Sequence, residues 1–432
     1  MTEKTRLLCD GQLGRAPAEK TRLLCLGDHM LSPSGVGTQS KYLAEALVKS
    51  GKYQILNLGG AIQHSDYTVR ASEEYGQDFV IKPVNGYGNP DLIRQALIQF
   101  KPHALFFITD PRFYVWLWEM EDEIHNVCPM LYWHVWDNYP VPDFNNSFYK
   151  STDFVGCISK LTHNILCELG HENKSGYIPH AVPTEIFKVL EKSETEKYRK
   201  QFLKQYADRF VIFWINRNAR RKKPSDVLHS VKLACDAVGY DKIVLFMHTN
   251  PKDPEGPNLL ALRNKLGLDD NVIFSNGIVS NSEINTFMNI SDVTINIANA
   301  EGFGLGTLES MMAGTPIIVS ETGGLQDQIF DDEGEPLGVC IQPAAKSDVG
   351  SQSVPYIYED IVTHQQACDA ILYMYRLKTE NPDIYDQLSH KCSIESAKRF
   401  QLGNMINSWD TAIQDTISNF NKNYVNFRLT EV

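Results

Sequence analysis

Residues 292–324 read DVTINIANAEGFGLGTLESMMAGTPIIVSETGG, and this stretch decides the fold of the chain. An apolar strand pattern leads into a glycine-rich loop, a short helix pattern and a second apolar strand pattern. Gly302, Gly304 and Gly306 let the backbone turn sharply and approach a ligand, because no Cβ stands in the way. The following helix directs its N–H groups and the positive end of its dipole at the loop. The sequence therefore predicts an anion site here, suited to a pyrophosphate.

Two carboxylates flank this loop. Glu301 precedes it, and Glu309 lies in the first turns of the helix. Because a phosphate repels carboxylates, we expect both to face something else, and carboxylates accept hydrogen bonds well from sugar hydroxyls. One of them is predicted to hold a hexose and the other a ribose. The alternative is a structural glycine turn with a solvated glutamate on each side.

Strand and helix patterns alternate on both sides of this stretch. A polar helical segment at 191–207 separates two such runs. Buried strands between helices form parallel sheets that are covered on both faces. The sequence therefore predicts two doubly wound, Rossmann-like α/β domains, with strands at 22–27, 54–58, 79–82, 104–109, 130–136, 154–158, 209–217, 242–249, 271–277, 293–298 and 316–321.

The spacing around the glycine loop resembles a known family. Glu301 and Glu309 enclose seven residues that begin Gly-Phe-Gly-Leu, and Ala-Gly-Thr-Pro follows at 313–316. This resembles the donor-binding motif of the retaining GT-B glycosyltransferases of family 4, over about residues 21–415. The resemblance implies two domains facing each other across a cleft, with Glu301 on the donor sugar as a catalytic residue and Glu309 on the nucleotide ribose. It also implies donor contacts from Gly302, Phe303, Gly304 and Leu305.

The resemblance implies a reaction as well. A hexose moves from a UDP- or GDP-linked sugar to a hydroxyl of a glycan or other acceptor, with retention of anomeric configuration. No metal and no cofactor are expected, since the nucleotide sugar is a co-substrate. Residues 19–195 would then form the acceptor-side domain, 196–400 the nucleotide-sugar-binding domain, and 401–432 a helix crossing back to the first domain. Residues 1–18, whose EKTRLLC segment recurs at 19–25, are predicted to be an extension.

A basic cluster, NRNARRKKPS, follows the strand at 209–217. Cations at the carboxyl edge of a parallel sheet lie where ligands bind, and Arg and Lys both suit phosphate oxygens. The resemblance implies that Arg217 and Lys222 neutralise the leaving diphosphate as catalytic residues. Lys223 is the alternative lysine, because Pro224 follows it where the family often has Gly after the lysine. A solvated, basic start of a helix is the alternative reading.

Two further segments contribute candidates. Gly35 and Gly37 form a glycine turn at a helix N-terminus, and the family has a similar loop near the phosphates; a capping turn is the alternative. His134 ends a strand in LYWHVWDNYPVP, and the resemblance implies a catalytic contact with the donor sugar near the transferred carbon; a core histidine is the alternative. Asp110 and Arg112, at a similar strand end, are acceptor-side candidates.

Composition excludes some classes of protein. The net charge of −12, from 41 basic and 53 acidic residues, makes nucleic acid an unexpected partner and allows at most peripheral contact with a membrane. No run of 18 apolar residues and no secretory h-region occur, and the nine cysteines form no C-x-x-C pair. We therefore expect free thiols and a cytoplasmic location. The sequence indicates no oligomeric state.

Other functions share these residues. The same chemistry on a modified nucleic-acid base, a sugar-nucleotide epimerase or hydrolase, and a non-enzymatic sugar-nucleotide-binding protein are the alternatives to transfer onto a glycan or other hydroxyl acceptor. No Asp-x-Asp occurs, which disfavours a metal-dependent GT-A transferase. The choice of base depends on loop shape around 275–284, so the residues leave sugar, base and acceptor open.

Overall fold

A computed structural model describes residues 19–423, with side chains to residue 420. The extension predicted at 1–18 lies outside the described residues, as does the end of the predicted C-terminal helix beyond 423. Two main sheets, each with hydrophobic clusters against it, confirm the prediction of a two-sheet α/β fold.

The first sheet is formed by the N-terminal part of the chain. All its pairings are parallel except that of Arg70–Ser72 with its neighbour. Its strands are β1 (Thr21–Asp28), β2 (Tyr53–Gly60), β3 (Arg70–Ser72), β4 (Gly76–Pro83), β5 (Ala104–Thr109), β6 (Met130–His134), β7 (Phe154–Cys157) and β8 (Ser175–Tyr177). Across residues 19–423 their hydrogen-bonded order is β3-β4-β2-β1-β5-β6-β7-β8.

Helices connect these strands. The first, α1 (Gly35–Lys49), begins at Ser34, whose Oγ accepts a hydrogen bond from the N–H of Gly37 at 2.9 Å. Such a cap satisfies one of the N–H groups that have no partner within the helix. The other helices of this unit are α2 (Pro90–Gln99), α3 (Val115–Trp118), α4 (Glu121–His125), α5 (Asn146–Lys150) and α6 (Lys160–Glu168).

The second sheet follows α7 (Lys192–Leu203) and is parallel throughout. Its strands are β9 (Phe210–Ile215), β10 (Ile243–His248), β11 (Val272–Ser275), β12 (Val293–Asn296), β13 (Ile317–Ser320) and β14 (Gly338–Ile341), in the order β11-β10-β9-β12-β13-β14. Its helices are α8 (Pro224–Val238), α9 (Leu259–Lys265), α10 (Asn281–Asn289), α11 (Leu305–Met312), α12 (Leu325–Ile329), α13 (His364–Glu380) and α14 (Pro382–Phe400).

An antiparallel hairpin, β15 (Ala345–Val349) with β16 (Ile357–Ile361), precedes α13 and belongs to neither main sheet. Every strand that was predicted from the sequence is present. The short strands β3, β8 and β14 and this hairpin were not predicted.

The last helix, α15 (Leu402–Asn423), packs against the first unit. The indole of Trp409 lies 4.8 Å from the ring of Phe106 and is fully buried. A Cβ on Gly156 would lie 2.4 Å from that indole, so the strand that bears this glycine admits no larger residue there. The carboxylate of Asp410 accepts hydrogen bonds from Lys52 and from the hydroxyl of Tyr53. Helix α15 is thus fastened to the start of β2.

Two absences hold within residues 19–423. No helix there is long and apolar enough to span a bilayer. The eight cysteines of that range are free thiols, as expected.

Candidate active site

A cavity of about 340 Å³ lies between the two sheets. Residues that follow β6, β7 and β8 line it from the first unit, and residues that follow β9 and β12 line it from the second. The carboxyl ends of the strands of both sheets therefore meet at this cavity. This is the place where open α/β sheets bind their ligands.

The glycine loop forms one wall of the cavity. Gly304 has a φ of +89°, a conformation that favours glycine, and it stands directly before α11. The buried amide of Gln328 donates hydrogen bonds to the carbonyl oxygens of Phe303, at 2.7 Å, and Gly304, at 3.0 Å. Its Oε1 accepts one from the hydroxyl of Thr307. The amide of Gln328 thus binds two carbonyl groups of the loop and the hydroxyl of Thr307, which holds the loop rigidly.

Two helix N-termini meet at this cavity. Ser34, Gly35 and Val36, at the start of α1, line it together with Leu305 and the rest of the first turn of α11. A Cβ on Gly35 would lie 3.2 Å from the side chain of Leu305, so the two helix starts are close neighbours. First-turn N–H groups have no partner within the helix and carry partial positive charge. Both helices therefore favour an anion between them.

Gly37 does not line the cavity. A Cβ there would lie 2.6 Å from Ser32 Oγ and 2.8 Å from the carbonyl oxygen of His29, and its N–H is used by the Ser34 cap. Gly37 is therefore packed into the turn before the helix, and the donor-contact role expected for it remains a prediction. Gly35 alone of the pair faces the cavity.

Lys222 and Glu301 form an ion pair in the wall of the cavity, and both side chains are almost fully buried. Asn296 lies 3.4 Å from the same carboxylate oxygen. Burial by itself would raise the pKa of Glu301, but Lys222 and Arg221 hold it below its usual value. Glu301 is thus a charged carboxylate at neutral pH. Of the two residues expected at the leaving group, Lys222 is placed at the cavity.

Lys223 does not reach the cavity. Its backbone is left-handed, with a φ of +55°, and its ammonium lies 3.3 Å from Asp226 on the outer side. The 3₁₀ turn Arg220–Lys222 immediately before it directs Lys222 inward. Of the two candidate lysines, Lys222 is therefore the one that lines the cavity, and the donor contact of Lys223 remains a prediction.

Arg217 also lies outside the cavity. Its side chain is 64% exposed, and its guanidinium is paired with Asp253 at 3.0 and 3.2 Å. Arg221 lines the cavity instead: its Nη1 donates to the carbonyl oxygen of Ala300 at 2.8 Å and lies 3.7 Å from Asp137. The expected role of Arg217 at the leaving group remains a prediction, since its guanidinium is here paired with Asp253 in the loop after β10. Arg221 was not among the predicted site residues, although it lies in the run of four basic residues at 220–223.

His134 is buried behind the cavity and does not line it. Its Nε2 lies 3.1 Å from the hydroxyl of Tyr149, and its ring stacks near Trp136. Burial lowers the pKa of His134 to about 3. Side chains two apart on a strand share a face, and Tyr132 places this face in the core of the first unit. In this structure His134 therefore lies away from the cavity, and its contact with the donor sugar remains a prediction.

His180 lines the cavity instead, in the segment after β8. Its ring packs edge-on against Phe303, with centroids 5.4 Å apart. Its Nδ1 is buried and has no hydrogen-bond partner among the described residues, and burial lowers the pKa to about 3. It is thus a neutral imidazole facing the loop. His180 lies three residues beyond the end of the short strand β8, and it was not among the predicted site residues.

Glu309 lies one turn into α11, beside the cavity rather than in its wall. No hydrogen bond or ion pair joins its carboxylate to another described residue, and burial raises its pKa to about 8. Burial, and then this nearby carboxylate, raise the pKa of Tyr42 on α1 to about 12. Tyr42 also bonds with Asn281 across the cleft at 3.2 Å. An unpaired carboxyl between the two units is available to a ligand.

Part of this chain is similar in sequence to known proteins. Residues 194–365 match the family model described as Glycosyl transferases group 1. The trehalose synthase of Pyrococcus horikoshii is 30% identical over 154 residues, which are 35% of this chain and 34% of that protein. The 2-deoxystreptamine glucosyltransferase of Streptomyces kanamyceticus is 29% identical over 137 residues, 32% of this chain and 34% of that protein. The matched segment therefore spans about a third of the length of these relatives.

Solved structures resemble nearly the whole chain. Sucrose-phosphate synthase from Thermosynechococcus elongatus superposes with a TM-score of 0.70 at 14% identity, covering 93% of this chain and 100% of that one. Anabaena HepE in complex with UDP and glucose superposes with a TM-score of 0.66 at 12% identity, covering 91% and 100%. The fold is the GT-B fold of glycosyltransferases, as expected. The part that matches the Glycosyl transferases group 1 model, residues 194–365, lies in the second unit of this fold.

Proposed function

We propose that the protein transfers a hexose from a nucleoside-diphosphate sugar to a hydroxyl acceptor, with retention of anomeric configuration and without a metal ion. One observation carries this proposal: the starts of α1 and α11, together with Lys222 and Arg221, surround a single cavity at the carboxyl ends of both sheets. That arrangement suits a diphosphate. Glu301 in the same wall suits the hydroxyls of the sugar attached to it.

The chemistry follows from where negative charge develops. When the bond to the anomeric carbon breaks, charge accumulates on the leaving diphosphate. Lys222, Arg221 and the first N–H groups of α11 are fixed around that position before the reaction begins. Preorganised donors of this kind contribute about 3 kcal/mol each to the transition state. They act on the leaving group alone, so no cofactor chemistry is required of the protein.

Retention needs the acceptor to attack from the side the leaving group departs from, or a covalent intermediate. Glu301 is tied to Lys222, which makes it a poor nucleophile. We therefore favour attack on the front face, with the leaving phosphate oxygen taking the proton of the acceptor hydroxyl. The new glycosidic bond forms as the bond to the diphosphate breaks, and the proton leaves with the nucleotide.

The nucleotide is assigned to the part of the cleft beside Glu309. Its unpaired carboxyl can accept hydrogen bonds from the two ribose hydroxyls. Anabaena HepE was solved with UDP and glucose, which supports a uridine nucleotide for this site, and GDP is the alternative. The segment around 275–284, which includes Asn281, would contact the base.

The decisive experiment is calorimetric titration with UDP, GDP and ADP and with their glucose conjugates, first in EDTA and then with magnesium. Binding of one nucleotide in EDTA is expected. Lys222→Ala should lower transfer far more than Lys223→Ala, which is the matched control because the two lysines are adjacent. Absence of binding to every nucleotide, in both buffers, would overturn the proposal. Proton NMR of the product reads out retention from the anomeric coupling.

A second candidate is hydrolysis or epimerisation of the same nucleotide sugar. The observation that favours it is Asp137, a partly exposed carboxylate in the cavity wall that could activate water. Loss of the donor at the same rate with and without any acceptor, abolished by Asp137→Asn, would establish it. A donor that is stable until an acceptor is added favours transfer.

A further inference from the structure

The hairpin β15–β16 of the second unit reaches across the cleft and binds the first. The N–H of Tyr358 donates to the carbonyl oxygen of Tyr139 at 2.6 Å. The amide of Asn138 donates to the carboxylate of Asp360 at 2.6 Å and to the carbonyl oxygen of Tyr358 at 3.3 Å. Strand β16 is therefore hydrogen-bonded to the segment that follows β6.

The tip of the hairpin is fastened as well. Val354 is only 7% exposed and packs into the hydrophobic core cluster of the first unit. The ring of Tyr356 lies 5.1 Å from that of Phe144, edge-on. Because β16 is hydrogen-bonded to the first unit and residues at the tip of the hairpin pack against that unit, the hairpin covers this part of the cleft.

A second cavity, of about 280 Å³, lies under the hairpin. The hairpin lines one side of it, and the ends of β5 and β6 line the other, with Asp110, Arg112 and Trp136. Asp137 and Arg221 line both this cavity and the one assigned to the donor. The two cavities therefore adjoin where the sugar would be transferred.

The charges in the second cavity disfavour an anion. Arg112 is bound by both carboxylate oxygens of Asp110, at 2.8 and 2.9 Å. Arg221 is engaged by Ala300 and lies beside Asp137. Glu359 accepts a hydrogen bond from the amide of Asn299, and no cation pairs with it among the described residues. Three carboxylates thus face two guanidinium groups, each of which already has an anionic partner.

We propose that this second cavity is the acceptor site, that it takes a neutral polyol of about monosaccharide size, and that the hairpin selects it. This inference rests on the proposed transferase function. Hydroxyls donate to carboxylates, whereas a phosphate would be repelled by the excess negative charge. A volume of 280 Å³ is at the small end of small-molecule sites, which span about 300–1,000 Å³. Trp136 offers an apolar face to the ring of such an acceptor.

The test compares neutral and phosphorylated acceptors in the presence of the donor that calorimetry identifies. Release of the nucleoside diphosphate is measured with glucose, fructose, mannose and myo-inositol, and with glucose 6-phosphate and fructose 6-phosphate. We expect at least one neutral acceptor to exceed both phosphates about ten-fold in kcat/KM. Preference for a sugar phosphate, or use of none of the neutral acceptors while the donor still binds, would overturn the proposal.

A charge variant with a matched control tests the role of the hairpin. Ser351 lines the cavity at the exposed tip, whereas Ser353, two residues on, is exposed outside it. We expect Ser351→Arg to shift the ratio of kcat/KM about ten-fold toward the phosphorylated acceptor, and Ser353→Arg to leave it unchanged, with equal donor affinity in both. Equal ratios in the two variants would overturn the hairpin's role. Failure of the donor to bind at all would instead count against the transferase function.

Discussion

The ammonium of Lys222 and the carboxylate of Glu301 form a buried ion pair that joins the basic turn after β9 to the glycine loop after β12. Each partner faces the cavity. Lys222 and Arg221 lower the pKa of Glu301, whereas burial lowers the pKa of Lys222 and Glu301 offsets only part of that effect. Removal of one partner leaves an uncompensated buried charge. The pair therefore links the shape of the site to its chemistry.

We expect Lys222→Met to cost about 3–5 kcal/mol in the free energy of unfolding, because Glu301 is left buried without its cation. The double variant Lys222→Met with Glu301→Gln should regain most of that stability but not the activity. Urea unfolding and turnover are measured together. Lys223→Met is the control, since that lysine has a different partner. Equal stability of Lys222→Met and Lys223→Met would show that the pair contributes little.

Glu309→Gln should weaken nucleotide binding and yet stabilise the folded protein. The pKa of Glu309 is raised by burial to about 8, so the unfolded chain gives up this proton at lower pH than the folded one. Stability due to this group is present below pH 4.5 and is lost as pH rises through 8. We expect Glu309→Gln to raise Tm more at pH 8 than at pH 5.

Glu333→Gln is the control for this effect, because Glu333 lies on the exposed turn after α12. It should change neither the affinity for the nucleotide nor the pH dependence of Tm. If Glu309→Gln bound the nucleotide as tightly as the unchanged protein, the ribose role would be withdrawn.

Arg221→Ala should lower turnover about 100-fold, since one preorganised donor beside the leaving group is removed. Arg217→Ala should change turnover by less than about three-fold, because its guanidinium is paired with Asp253 at the rim. Steady-state kcat with a saturating donor separates the two. A large loss in Arg217→Ala and none in Arg221→Ala would mean that Arg217 leaves Asp253 and enters the cavity when the donor binds.

Burial lowers the pKa values of His134 and His180 to about 3, so both imidazoles are neutral at any pH above about 5. We expect His180→Ala to lower kcat/KM about ten-fold through loss of a polar contact with the donor, and His134→Phe to change KM little. Because His180 is neutral in the site, His180→Ala should remove no inflection near pH 6.5 from the pH profile of kcat/KM. Such an inflection would mean that His180 is charged in the site.

Local patterns predicted the centre of the site. The glycines at 302 and 304, the carboxylate of Glu301 and the helix at 305–312 lie within one continuous segment, so their spacing already fixed their relation to each other. The buried strands were predicted for the same reason, since a run of apolar residues is a property of neighbouring residues. In these parts, little depends on distant residues.

The choice among neighbouring residues was not predictable. The sequence offers four consecutive basic residues, Arg220 to Lys223, and the 3₁₀ turn with the left-handed Lys223 decides which of them face inward. His134 was predicted because it ends a strand at a position where the resembling family has a histidine. The alternation of side chains on β6, set by packing against the core, turned it away from the cavity.

The sequence by itself determined two Rossmann-like sheets, the glycine loop and a set of charged residues near strand ends, because periodicity and glycine spacing are local properties. Only the tertiary structure decided which of those charges share a cavity, and it alone brought the hairpin at 345–361 over the ends of β5 and β6. The physical reason is that the cleft is assembled from separate segments that lie between residues 34 and 307. Their relative placement depends on how the two sheets, the hairpin and α15 pack together.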